Sequence, residues 1–170
     1  EFVIITEYDR MPDDLNGEGS IFVLASKRTQ TFGSRGMTVV ECSPGRTVIV
    51  DPDRHWAPKG HEAPPPPGIL DLFNQGDRRL YYWPCPDCGE FFAASFRDLT
   101  WPKNDDGSPK DGIEAAAAKT TMLCPHCGSY DIEERRRLGL YRHAQWLREG
   151  LALDKYGNVT GAARRSRIAS

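Results

Sequence analysis

Long apolar runs are missing from this sequence. No stretch approaches the ~20 apolar residues that a membrane-spanning helix needs, and no secretory leader pattern opens the chain. An excess of positive charge is missing too: 22 Lys and Arg stand against 24 Asp and Glu, a net charge of −2. No global positive field would draw the chain onto nucleic acid, so any such contact has to be local. Internal repeats are absent apart from a short Cys-Pro-x-Cys-Gly unit that occurs twice. Cysteine is scarce, with five in all, and four of these fall in that repeated unit.

The chain of 170 residues, 39% hydrophobic and 27% charged, has room for one domain or a domain with an appendage. Sixteen Gly and 13 Pro, clustered, predict much turn and loop. The sequence opens on "EFVIITEYDRM", already inside an apolar strand and without an initiator Met, and ends on "RRSRIAS". It reads as a piece of a longer protein.

Residues 2–6, "FVIIT", are a β-branched apolar run of the kind found in a buried strand. Residues 18–30 predict a helix with Ser20 as N-cap and Ile21, Leu24 and Ala25 on one side. "MTVVECSPG" (37–45) predicts a second buried strand ending at Pro44-Gly45, and "RTVIVD" (46–51) is a further apolar run. Strand, helix and strand within this span predict a βαβ unit with a parallel sheet. "DPDRHWAPKGHEAPPPPG" follows and is too proline-rich for a regular element; its four-proline run suits polyproline II. A short helix is expected at 68–75. "KNDDGSPKDG" reads as a turn-rich insert, and "IEAAAAKTTM" as one or two helical turns. Residues 132–150 leave helix and short strands both open.

The pairs are Cys85-x2-Cys88 and Cys124-x2-Cys127, each containing a Pro (Pro86, Pro125) and followed by a Gly (Gly89, Gly128). A C-x2-C turn points two sulfurs at one place, and the glycine relieves strain where the turn closes. Two such turns supply four soft ligands, the donor set of structural zinc, with no position left for a catalytic water. Twin C-x2-C turns suit disulfides poorly, and a redox motif explains one pair but not two. An iron–sulfur cluster also uses four thiolates; the spacing favours Zn2+. The long gap between the pairs predicts a hairpin with an insert. Cys42 stands alone and reads as a small buried hydrophobe. Tyr81, Tyr82, Trp83, Phe91, Phe92 and Phe96 bracket the first knuckle and read as core, as do Trp101 and Trp146.

The strand at 2–6 runs into acids at Glu7 and Asp9. Acids at the carboxyl edge of a parallel sheet stand where α/β proteins put their ligands. A second strand ending in "ECSPG" reinforces that reading. "TEYDRMPDDLNGEGSIFVLASKRTQTF", then "ECSPG", then "YYWPCPDCGE" together resemble the large subunit of lambda-type (GpA family) tailed-phage terminases, over about residues 2–150.

The resemblance implies a P-loop ATPase domain followed by a nuclease domain, in a motor that hydrolyses ATP with Mg2+ to translocate viral DNA and then cuts it. It implies that Glu7 falls on the catalytic glutamate, Asp9 on a nearby acid of the same Walker B loop, and Ser43 with Pro44 on the coupling motif. Arg28 lies in the "KRT" segment. Thr6 stands where a Walker B aspartate often does, so Asp9 is an alternative Mg2+ ligand. No G-x-x-x-x-G-K-[ST] occurs in the 170 residues, so the phosphate cradle is not among them.

The expected fold is therefore α/β: a partial P-loop-type parallel sheet followed by a small zinc-ribbon-like subdomain with four cysteine ligands. The expected layout is an ATPase core over 1–57, a Pro-rich linker over 58–79, a zinc-binding subdomain over 80–150 and a connection over 151–170. The chain alone is expected to be inactive. The resemblance further implies double-stranded viral DNA, the small terminase subunit and the portal protein as partners, homo-oligomers on the portal, and a place in the host cytoplasm without membrane attachment. Arg135, Arg136 and Arg137 are candidate nucleic-acid contacts, set against a solvated face balanced by Glu133 and Glu134. The alternative is a zinc-ribbon module that binds nucleic acid or protein without catalysis.

Overall fold

Phe2–Ile5 forms the first strand (β1) in the computed structural model, which describes residues 1–47, 60–64, 67–129 and 138–166. A loop leads from β1 to the helix α1 (Ile21–Gln30), and Met37–Val40 returns as β2. β1 and β2 pair in parallel, Phe2 opposite Met37 through Ile5 opposite Val40. The βαβ reading of the sequence thus holds. Ser20 caps α1 as expected, its Oγ accepting from the Val23 N–H at 3.3 Å. That satisfies one of the donors a helix start leaves open.

Ala25 of α1 packs with Ile5 and Tyr8 in a small core, flanked by Val3, Ile21, Phe22, Val40 and Cys42. Cys42 is half-buried there. Burying a side chain such as Ile5 is worth about 1.5–3 kcal/mol. Gly36 lets β2 begin close beneath α1: a Cβ on it would overlap the Thr29 carbonyl and lie 3.2 Å from the Thr29 Cβ. The expectation of fully buried strands needs correction. Phe2 is 70% and Ile4 67% exposed, and Met37 and Val39, their neighbours in register, are exposed as well. α1 covers one face of the pair, and the residues of alternate parity point away from it. The parallel sheet has two strands among the described residues, so a wider P-loop-type sheet is not seen. β2 ends at Val40, earlier than expected, and Glu41–Gly45 form a loop.

The chain divides into two compact units, Glu1–Arg78 with Arg165–Ser170, and Arg79–Arg164. The first also holds α2 (Ile69–Gln75), close to the predicted helix; Ile69 and Leu72 pack against the Ile5 core. Ala63 and Asn74 exchange two hydrogen bonds in the same unit. Residues 51–59, 65 and 66 of the proline-rich stretch, and residues 48–51 of the 46–51 run, lie outside the described residues.

In the second unit, β3 (Leu80–Pro84) pairs antiparallel with β4 (Phe91–Ala93) on one side and β7 (Gln145–Leu147) on the other. β5 (Leu99–Thr100) pairs with β6 (Thr121–Met122). The insert between them carries a turn closed by a Lys103–Pro109 bridge and the helix α3 (Ile113–Ala118), matching the expected turns. β8 (Leu151–Leu153) and β9 (Val159–Gly161) form a hairpin that belongs to this unit. For residues 141–147, the choice left open resolves to a 3-10 turn followed by a strand.

The core of this unit is Trp83, Phe92, Met122, Cys85 and Cys124. Trp83 stacks on Tyr141 at 5.2 Å between centroids, within 10° of parallel, and meets Phe92 at a tilt. Trp83 and Phe92 are thus core, as read from the sequence. Phe96 and Trp146 are not: they are 76% and 65% exposed. Trp146 sits on β7, an edge strand of this sheet, with one ring contact to Tyr81. No described helix is long and apolar enough to cross a membrane.

Candidate functional site

β1 hands the chain to an acid loop at its C-terminal end. Glu7 has φ 54°, left-handed and sparsely populated for a residue with a Cβ, and precedes a 3-10 turn at Tyr8–Arg10. Its side chain is 60% exposed and its partner is Arg10, at 3.3 Å. An ion pair this exposed is worth at most about 1 kcal/mol, so the Glu7 carboxylate is free to exchange partners. Tyr8 turns inward to the core.

Asp9, two residues on, has the opposite environment. Its side chain is 2% exposed. Oδ2 accepts the Gly45 N–H at 2.9 Å, and Oδ1 accepts the Ile69 N–H at 2.7 Å. The Arg46 Nε lies 3.8 Å from Oδ1. Burial by itself would raise the Asp9 carboxyl pKa. The N–H groups of Gly45, Ile69 and Arg46 and the Arg46 charge outweigh it, so the group is held below its ordinary value.

The loop after β2 lies against the acid loop. The Glu41 N–H donates to Ile5 O at 3.0 Å, Tyr8 N–H to Glu41 O at 3.4 Å, and Asp9 N–H to the Cys42 Sγ at 3.2 Å. Arg46 closes the far side: it donates to Met11 O at 3.2 Å and is ion-paired with Asp13. Ser43 and Pro44 are exposed at the turn between these contacts. The structure therefore brings Glu7, Asp9, Ser43 and Pro44 into one cluster at the carboxyl ends of two parallel strands. Arg28 lies in the last turn of α1 and lines, with Thr6 and Met11, a cavity of about 410 Å³ beside β1. Arg46, Gly68 and Ile69 escaped the sequence reading. Gly68 left a faint signal, a glycine just before a helix, but no spacing rule joins it to Asp9.

The cysteine centre is built by two matching knuckles. The Cys85 N–H donates to Glu90 O at 2.8 Å and the Gly89 N–H to Cys85 O at 3.0 Å. In the second knuckle, Cys124 N–H donates to Ser129 O at 2.8 Å and Gly128 N–H to Cys124 O at 2.9 Å. Gly89 and Gly128 take φ 78° and 72°, the left-handed turn that glycine permits. All four sulfurs lie within 4.8 Å of one another, with Cys85 and Cys127 3.8 Å apart and Cys88 and Cys124 3.9 Å apart. A disulfide would need about 2.05 Å. A tetrahedron with zinc–sulfur bonds of about 2.3 Å has edges of about 3.8 Å, so the four sulfurs fit a metal ion. The knuckles are tied by a Ser129–Asp87 hydrogen bond and by the His126 ring, whose Nε2 lies 3.2 Å from Phe91 O. His126 is outside the four-sulfur group. Burial pushes the Cys88 thiol up to about 12 and raises Cys124, while hydrogen bonds from the Cys88 and Asp87 N–H groups outweigh burial at Cys85 and hold it below its ordinary value.

No other group of three or more metal-ligating side chains occurs among the described residues. Arg135, Arg136 and Arg137 lie outside them.

No curated protein and no solved structure matches the chain. The family model described as phage terminase large subunit gpA, ATPase domain, matches residues 1–146, so the chain belongs to that family of DNA-packaging ATPases.

Proposed function

We propose that this chain is the rear part of the ATPase unit of a viral DNA-packaging motor, with a metal-braced lobe attached. Glu7 is the hydrolytic carboxylate, which orients and deprotonates the attacking water. Ser43 and Pro44 form the coupling turn. The observation that carries the reading is Glu7 itself: an exposed carboxylate on a left-handed backbone at the carboxyl end of β1, beside the turn that follows a parallel β2. Backbone strain of this kind, about 1–3 kcal/mol, persists where surrounding contacts enforce it and clusters at reactive sites.

Mg2+ with ATP supplies charge neutralisation of the phosphates. Of the two acids that follow β1, Glu7 is the one open to the nucleotide and its water, because its side chain is 60% exposed and that of Asp9 2%. Mg2+ in such enzymes is held largely by phosphates and water, and the phosphate cradle lies outside this sequence. The four cysteines hold Zn2+ as a brace with no catalytic part. Endonuclease activity, and the small subunit and portal as partners, belong to the assembled terminase on this reading.

The test is ATP turnover by the 170-residue chain and by the full-length large subunit in parallel. The chain alone is expected to show none, and the full-length subunit to turn over ATP. Turnover by the chain alone that Glu7→Gln abolishes would overturn the division of labour proposed here.

A second reading, a nucleic-acid-binding zinc lobe, is favoured by one feature. A cavity of about 410 Å³ beside the first knuckle is lined by Arg142, His143, Lys155 and Tyr156 and by no carboxylate. Arg142→Ala with Lys155→Ala is then expected to weaken duplex DNA binding and to reduce the salt slope by about 2. An unchanged slope removes this reading.

A further inference from the structure

We propose that Asp9 is a positioning residue, a latch that fixes the Glu7 loop to the Ser43-Pro44-Gly45 turn and to the start of α2, so that movement of the turn is delivered to Glu7. This rests on Glu7 as the hydrolytic group.

Three segments distant in sequence meet on one carboxylate. Oδ2 takes the N–H of Gly45, next to the turn's proline, and Oδ1 takes the N–H of Ile69, the first residue of α2. Both donors are backbone groups, so the latch holds the path of the chain and leaves the side chains of Ser43 and Glu7 free. Arg46, following Gly45, grips the other side of the acid loop at Met11 and Asp13. The acid loop is thus held on both sides by consecutive residues of the turn. Gly68 is shaped for this arrangement. It sits at φ 95°, and a Cβ there would overlap the Asp9 Oδ1 and approach the Arg46 Cδ at 2.8 Å.

Glu7 has no comparable anchor of its own. Among the described residues its side chain pairs with exposed Arg10, so its place is set by the backbone on either side. On one side is Ile5, bonded to Glu41; on the other are Tyr8 and Asp9, bonded to Glu41, Cys42 and Gly45. Every one of these partners belongs to the loop after β2. A shift of that loop therefore moves both flanks of Glu7 together. The latch also has slack: the Arg46 Nε is buried without a hydrogen bond, and Asp9 Oδ1 is 3.8 Å away. The Asp9 side chain is 2% exposed, so a metal could reach it only by displacing the chain around it, which separates this role from that of a Mg2+ ligand.

The experiment uses the full-length large subunit with Asp9→Asn, Ser43→Ala, their double variant and Glu7→Gln. Asp9→Asn is expected to lower kcat for ATP at least tenfold with KM within twofold. The Asp9/Ser43 cycle is expected to be non-additive in kcat by fivefold or more with KM unchanged, a split that a general loss of structure would not produce. Should Asp9→Asn fail to fold, Arg46→Lys carries the test, with a smaller fall in kcat and the same non-additivity. Wild-type kcat in folded Asp9→Asn, beside an inactive Glu7→Gln, overturns the latch alone. So does recovery of Asp9→Asn activity by excess Mg2+, which would make Asp9 a metal ligand. An active Glu7→Gln overturns the functional reading beneath it, and the latch falls with it.

Discussion

Cys85 and Cys124 are the most deeply buried side chains of the second unit, and Asp9 is comparably hidden in the acid loop of the first. Both sites draw together segments far apart in sequence, but by different chemistry. In the second unit the gathered groups are four cysteines, whose thiolates would repel one another without a cation between them. In the first, one anion is gathered around by N–H groups and a guanidinium, and the site is complete without an added ion. One site thus has the donor set for a metal ion, and the other holds a single carboxylate partnered by the protein itself. Reactivity follows the same division: the cysteine centre has no open position, whereas the acid loop leaves Glu7 exposed beside its buried neighbour.

Metal removal should separate the two units most sharply. Structural zinc in small domains supplies about 10–16 kcal/mol. Chelation, or Cys85→Ser, is expected to abolish hydrogen-exchange protection across β3, β4 and β6 and leave β1, α1 and β2 protected. Equal loss in both units, or in neither, would contradict the assignment. Zinc near one per chain is expected by mass spectrometry after purification without added metal.

The next effect belongs to Asp9. Asp9→Ala takes the acceptor from the part-buried Ile69 N–H, at about 1–3 kcal/mol, and from the Gly45 N–H, which is exposed and can turn to water. Denaturant melts followed in the first unit should show a loss of that order, with the cysteine lobe unaffected. Acid should reveal the same group. Because the folded pKa of Asp9 is depressed, its contribution is complete above the unfolded value, about 3.9. It fades as the pH falls through the folded value, below 3.8. The first unit is therefore expected to keep a level stability from pH 7 to about 5 and to weaken below about 4. In Asp9→Asn that acid step should shrink.

The smallest effect concerns the bond between the knuckles. His126→Ala removes one hydrogen bond to Phe91 O, a loss of about 0.5–1.5 kcal/mol. The second unit should stay folded and keep its metal. Metal loss in this variant would show that the ring does more than tie the knuckles.

The cysteine centre was legible in the sequence because each knuckle is local. Four residues and a glycine fix a C-x2-C turn, and one ion requires the two turns to meet. The βαβ unit was legible for a similar reason: Ser20, the apolar face of α1 and the β-branched strands each declare a local preference. What Asp9 does was not legible. An acid after a strand looks the same whether it faces solvent or accepts N–H groups 36 and 60 residues away. Exposure of Phe2 and Ile4 was hidden for the same reason, since an apolar run does not state how many of its faces are covered.

In the proposed division of labour Glu7 performs the chemistry while Asp9 and the cysteines hold structure. The most direct measurement is ATP turnover at saturating ATP by the full-length large subunit carrying Glu7→Gln, with ATP binding measured on the same protein. A positioned general base is worth about 10²–10⁴ in rate. Binding is expected to stay within twofold of wild type and turnover to fall at least a hundredfold. Turnover within twofold of wild type would contradict that division of labour.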